Sequence, residues 1–237
     1  MRSSTCLWLA FVAASCAPAY LPNTRNVPLF REAQEFSAAV TLSTAIDAQA
    51  AYAVTDNIAI MGNYSFLTRQ FTDPDFQKKH NFFEGGLGLY GVQRKFRYEL
   101  FAGYGAGKSN SFDQYSFIAK ATGVQEQVEA EGTYSRIFIQ PTLATNNRGF
   151  NLAFTPRISS VQFSEFVSNG VTYKPEPGRQ IILEPALTAI APIKGNLRGF
   201  FQLGLNVGLG DVYFDYEPLQ FAFGIQLHTG SLRTRVY

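Results

Sequence analysis

The sequence predicts an all-β chain closing into a single antiparallel up-and-down barrel of about ten strands, with eight as the alternative count. Three observations predict it. Apolar and polar residues alternate with period two along most of the chain, which is strand geometry. The two faces have inverted character: one is large and apolar, the other small and polar. Short turns alternate with longer loops, so one mouth of the barrel carries most of the long connections.

The clearest alternation lies between Leu197 and His228. Leu203, Leu205, Val207 and Leu209 form one face, against Gln202, Gly204, Asn206 and Gly208. In the next run Leu219, Phe221, Phe223, Ile225 and Leu227 oppose Gln220, Ala222, Gly224, Gln226 and His228. A soluble sandwich buries its large apolar face and wets a charged one. Here the second face is mostly Gly, Ala, Gln and Asn, which suits a crowded lumen, and the apolar face is left to meet lipid.

The remaining elements follow in order. Residues 1–15 read as a secretory signal, with Arg2 at its start, an apolar core from Cys6 to Ala14, and small residues before Cys16. Ala13-Ala-Ser-Cys16 is a relaxed lipobox, which makes Cys16 the candidate lipidation site; the alternative is a cut after Ala17-Pro18-Ala19. Residues 16–34 carry Pro18, Pro22 and Pro28, which argue against a helix or a central strand. They are expected to form an extended tether between anchor and barrel. The barrel is expected over 35–229 and a short tail over 230–237.

Within the barrel the first run puts Phe36, Val40 and Leu42 outward, and the second Tyr52 and Val54. Thr55-Asp56-Asn57 turns the chain into a third run with Ile58, Ile60, Tyr64 and Phe66 outward. A polar loop is expected from Thr68 to Lys79. The fourth run directs Phe83, Leu87 and Leu89 outward and Glu84, Gly86, Gly88 and Tyr90 inward. The fifth, from Phe96, places Arg97 and Glu99 inward, and a long loop is expected over 108–131. The sixth directs Arg136 and Gln140 inward, the seventh Asn151 and Arg157, with a phase slip near Ser160 that suggests a bulge. The eighth places Glu184 inward. Pro141, Pro156 and Pro185 sit awkwardly in these three runs, since proline donates no ladder hydrogen bond.

Composition agrees with this reading. Charged residues make up 16% of the chain, against roughly 25% in soluble domains, yet mean hydropathy is only −0.05 because polar and apolar residues interleave. No apolar run approaches the roughly 20 residues of a membrane helix. A net charge of +2 without a basic cluster gives no reason to expect a nucleic-acid partner. A soluble lipocalin-like barrel is the remaining alternative, but outward apolar stripes would aggregate in water.

Four stretches carry a family resemblance. They are Cys16-Ala-Pro-Ala-Tyr-Leu-Pro-Asn23, Asn26-Val-Pro-Leu-Phe30, Glu35-Phe36 and Gln49-Ala-Ala-Tyr-Ala-Val-Thr-Asp56. Together they resemble a group of Bacteroidetes outer-membrane β-barrel proteins and lipoproteins of unestablished function. The resemblance implies a Gram-negative outer-membrane location, and the even strand number separately puts the N- and C-termini on the periplasmic side. The resemblance implies no activity.

The inward positions hold most of the strand charge: Glu84, Arg97, Glu99, Arg136, Arg157, Glu184 and Arg198. Near balance of acids and bases suggests paired Arg and Glu in a polar core that holds the barrel shut. The alternative is a narrow pore or small-solute site lined by these residues. Catalytic sets are thin. His80 follows Asp73 and Asp75, and a solvated loop explains it better than a rim-active hydrolase. His228 reads as an interfacial residue at the end of the last strand. Gly103-Tyr-Gly-Ala-Gly107 lies in a strand with no helix after it, so it is no phosphate loop. No G-x-S-x-G motif and no His/Cys ligand cluster suggests catalysis, a metal or a cofactor. Tyr213, Phe214 and Tyr216 are candidate exposed contacts. The sequence therefore predicts a non-enzymatic structural or surface-interaction barrel. Its expected partners are outer-membrane lipid and an unknown extracellular ligand or small solute.

Overall fold

The computed structural model describes residues 18–70, 76–113, 128–147, 149–168, 170–173 and 179–230. The expected signal peptide, Cys16, Asp73, Asp75 and tail residues 231–237 lie outside the described residues. The strands are β1 (Phe36–Leu42), β2 (Ile46–Ala53), β3 (Ile58–Gln70), β4 (Phe76–Gln93), β5 (Phe96–Asp113) and β6 (Val128–Thr145), followed by β7 (Asn151–Ser168), β8 (Val171–Tyr173), β9 (Gln180–Lys194), β10 (Leu197–Leu205), β11 (Val207–Leu209) and β12 (Leu219–Thr229).

Strands β1 to β7 pair in sequence, β7 pairs with β9, β9 with β10, β10 with β12 and β12 with β1, all antiparallel. The ring is closed. β11 continues β10 past Asn206, and β8 is a short arm on the upper part of β7, so the wall has ten strands, the expected count. The connections 54–57, 94–95, 146–150 and 195–196 fall at one mouth, termed lower here. The upper mouth carries 71–75, 114–127, the β7–β9 connection and 210–218, with one short turn at 43–45.

Side chains alternate as the sequence predicts. Phe83 (62% exposed), Leu87 (61%) and Phe223 (60%) point out of the wall, while Glu84, Gln202 and Ala222 are buried inside it. On β5 the outward apolar positions run from Phe96 to Tyr104, about 27 Å along the strand or roughly 20 Å along the axis at a usual tilt. Inward glycines make room for inward rings: a Cβ on Gly88 would sit 2.4 Å from the Phe101 ring.

Two expected loops are shorter than the sequence suggests. β5 continues to Asp113 and β6 begins at Val128, so residues 108–113 and 128–131 of that stretch are paired and the connection shrinks to 114–127. β3 continues to Gln70 and β4 starts at Phe76, which halves the 68–79 loop. Above the apolar belt both faces are polar: Lys108 points outward and Ser109 and Ser111 inward, so alternation fades while the backbone pairing goes on. The slip expected near Ser160 is absent. Val161 and Phe163 stay on the inner face, and the extra residue is Ser164, where the register shifts opposite Thr133 and Tyr134.

The three prolines are accommodated at a local cost. Pro156 lies directly opposite Pro185, and the β6–β7 ladder stops at the Ile139↔Ile158 pair and resumes at Leu143↔Phe154. That gap brackets Pro141 and Pro156, where neither residue has an N–H to donate. Pro185 in turn meets the break between β10 and β11: pairing with β9 ends at Gly204↔Ala186 and resumes at Val207↔Leu183.

Candidate functional site: a lumen filled by the N-terminal segment

Residues 18–30 are buried throughout and run along the barrel axis, inside the wall. The expected tether is extended, but it lies in the lumen and not outside the barrel. At the upper mouth Ser111 Oγ donates to the Pro18 carbonyl (3.1 Å), and the N–H groups of Ala19 and Tyr20 donate to the Asp215 carbonyl (2.9 and 3.1 Å). At the lower mouth the Phe30 ring packs on Tyr90, and the Phe30 N–H donates to Glu99 Oε1 (3.0 Å). The segment then turns back at Gln34, a positive-φ residue, into β1. Pro18 and the end of β12 therefore lie at opposite mouths. The two termini, expected on one side, lie outside the described residues.

An extended segment that pairs with no strand must satisfy its backbone groups elsewhere. Lumen glutamines do this. Gln49 Nε2 donates to the Thr24 carbonyl (2.7 Å), Gln140 to Asn26 (2.8 Å), Gln202 to Arg25 (3.1 Å), Gln220 to Pro22 (2.6 Å) and Gln226 to Val27 (3.1 Å). Asp47 accepts from the Thr24 N–H (2.9 Å), and Arg97 Nη1 donates to the Leu29 carbonyl (2.7 Å). Pro18, Pro22 and Pro28 lack an N–H and so remove three donors that the lumen would otherwise have to match.

The middle of the lumen is a closed ring of charge. Arg136 pairs with Glu84 and reaches Glu184 Oε1 at 4.0 Å; Arg157 pairs with Glu184 and reaches Glu84 Oε1 at 3.6 Å. Asn23 sits at the hub. Its Nδ2 donates to Glu84 Oε1 (2.7 Å), and its Oδ1 accepts from Arg136 (2.7 Å) and Arg157 (3.0 Å). The Tyr20 hydroxyl donates to Glu184 Oε1 (2.6 Å) and accepts from Arg136 (2.7 Å). Arg25 donates to Asn206 Oδ1 (2.6 Å), to Gln220 Oε1 and to the Glu184 carbonyl (3.2 Å). Its guanidinium lies 3.1 Å from where a Cβ on Gly204 would stand, so that glycine opens the space for it. Two cations, Arg136 and Arg157, thus face two carboxylates, Glu84 and Glu184, while Arg25 and Asp47 beside the ring are held by hydrogen bonds to uncharged groups. Such matching offsets the desolvation of buried charge.

The expected lumen set is largely brought together. Glu84, Arg136, Arg157 and Glu184 form the ring. Arg97 and Glu99 lie lower and hold the backbone of Leu29 and Phe30, with no ion pair between them. Arg198 sits half-buried near the lower mouth, apart from the ring. Sequence reasoning missed Tyr20, Asn23, Thr24, Arg25 and Asn26. The signal that points to them is the inner face itself, whose glycines, alanines and long glutamines leave axial space and unmatched amide donors.

Three other expectations change. Phe214 is 4% exposed and packs on Tyr20 and Phe163, and the Tyr216 hydroxyl accepts from the Gly208 N–H (2.9 Å). These two residues cap the buried segment; only Tyr213 of the trio is exposed. His80 is no solvated loop residue: it lies on the inner face of β4, stacked on Phe82 and near Tyr134. His228 is likewise buried, with Nε2 3.6 Å from Glu35 Oε2 inside the lower mouth. Glu35 lies just ahead of β1. Burial pushes its carboxyl up, but hydrogen bonds with His228 and the Arg31 N–H outweigh this and hold it below the usual carboxylate value. Among the described residues no group of three metal-ligating side chains converges.

No family model matches the chain. No curated protein matches it either. Among solved structures it is similar to the translocator domain of autotransporter NalP from Neisseria meningitidis, at 9% identity and a TM-score of 0.47, covering 81% of this chain and 86% of that one. It is also similar to the β domain of the Bordetella autotransporter BrkA, at 9% identity and a TM-score of 0.31, covering 81% and 96%.

Proposed function

We propose that the protein is a non-enzymatic outer-membrane barrel whose lumen is closed by its own N-terminal segment and whose upper loops face the outside for surface interaction. Support for the location comes from the outward apolar belt, whose height suits a bilayer, and from the collection of long connections at one mouth. The observation that carries the closed state is the burial of residues 18–30 against the full circumference of the lumen.

Planar-bilayer recording tests the closed lumen. The intact protein is expected to give no conductance steps, and a variant lacking residues 18–34 is expected to give them. Steady conductance from the intact protein would replace this reading with the narrow-pore one.

A further inference from the structure

Above the apolar belt, on the outward side of β3 to β6, a cavity of about 360 Å³ is lined by Tyr64, Phe66, Lys79, Asn81, Lys108 and Asn110, with Glu131 at its far edge. Its floor and its rim differ in chemistry. Tyr64 and Phe66 stack at 5.7 Å between ring centroids and form the top of the apolar belt on β3. Directly above, register brings polar residues together: Phe66 pairs with Asn81, Asn81 with Lys108, Thr68 with Lys79, and Lys79 with Asn110. Asn81 Nδ2 donates to the Tyr64 hydroxyl (2.9 Å), which fixes the border between ring and amide. Lys79 and Lys108 are exposed, and among the described residues no carboxylate lies within 4.0 Å of either ammonium. Glu131 lowers the net charge of the lining to +1 and faces Asn110 across the ladder.

We propose that this cavity binds the phosphate-bearing headgroup of a lipid in the outer leaflet. A bare anion would need only the lysines. The placement of two ammonium groups and two amides immediately above a stacked aromatic floor fits a molecule whose charged head and apolar chains meet at that level. The acyl chains continue down past Phe83 and Tyr104, which point outward below the lysines on β4 and β5. The proposal rests on the membrane reading above.

The test uses the full-length protein in a mild detergent, with lipid A and its dephosphorylated form as probes and native mass spectrometry as readout. The protein is expected to retain lipid A and to release the dephosphorylated form. Joint substitution of Lys79→Ala and Lys108→Ala is expected to weaken retention about thirtyfold, from two lysine contacts at a charged lipid surface. Joint substitution of Lys95→Ala and Lys194→Ala at the lower mouth is expected to change nothing. Equal retention of both lipids, or unchanged retention by the Lys79/Lys108 variant, overturns the proposal. So does displacement of lipid A by millimolar inorganic phosphate, which would mark a site for free anion. A heat-dependent gel shift confirms that each variant is folded. Membrane fractionation of the intact protein tests the location separately, so failure of the lipid site and failure of the membrane reading give different results.

Discussion

At the residue scale, the ring of Glu84, Arg136, Glu184 and Arg157 sets the terms. Each charge has partners of the opposite sign, and removing one member leaves buried charge of the other sign uncompensated. Glu184→Gln is expected to destabilise the folded barrel by about 3–5 kcal/mol, measured by denaturant unfolding in detergent. Replacing the pair together, Arg157→Met with Glu184→Leu, is expected to cost less than Glu184→Gln alone, because no charge is stranded. A second prediction concerns Glu35, whose carboxyl is held below its ordinary value. A depressed carboxylate stabilises the fold above its unfolded pKa, about 4.3, and that stability is lost as pH falls through the folded value. Acidification below about 4.3 is therefore expected to loosen the lower end of the buried segment, read as faster amide exchange at Phe30 to Glu35, and Glu35→Gln is expected to remove that pH dependence.

At the element scale, the strands were legible wherever one face had to meet lipid. Phe83, Leu87 and Leu89 against Glu84, Gly86 and Gly88 is a pattern that only a strand explains. Legibility failed where that contrast failed. From Lys108 to Ser111 both faces of β5 are polar, and past Ser160 the inner face of β7 turns apolar with Val161 and Phe163, so hydrophobicity no longer reports orientation. Proline misled in a different way. Pro141, Pro156 and Pro185 argue against central strands when read singly, yet the closed ring lets the loss fall at two gaps in the ladder. Restoring a donor at one gap tests this. Pro185→Ala is expected to join β10 and β11 through Asn206 and to raise stability by about 0.5–1.5 kcal/mol, the net worth of one backbone hydrogen bond.

At the scale of the whole molecule, the buried segment turns a ring of strands into a filled cylinder. The lumen charges were legible as a set, but their hub was not, because residues 18–30 have no periodicity and their prolines suggest only extended chain. Their burial depends on a volume that no local pattern reports: the space left by small inward residues on ten strands. The central claim is that this segment traverses the lumen and ends at the upper mouth. Tyr20 forms a parallel bridge with Tyr216, which brings their Cα atoms to about the separation a disulfide spans. The most direct measurement is therefore oxidation of a Tyr20→Cys, Tyr216→Cys variant in intact membranes, followed on a non-reducing gel. Efficient cross-linking of the two introduced thiols, reversed by reductant, is the predicted result. If the thiol introduced in place of Tyr20 stays free and reacts with a water-soluble thiol reagent from the lower side, the account is contradicted, since the segment would then be a tether outside the barrel.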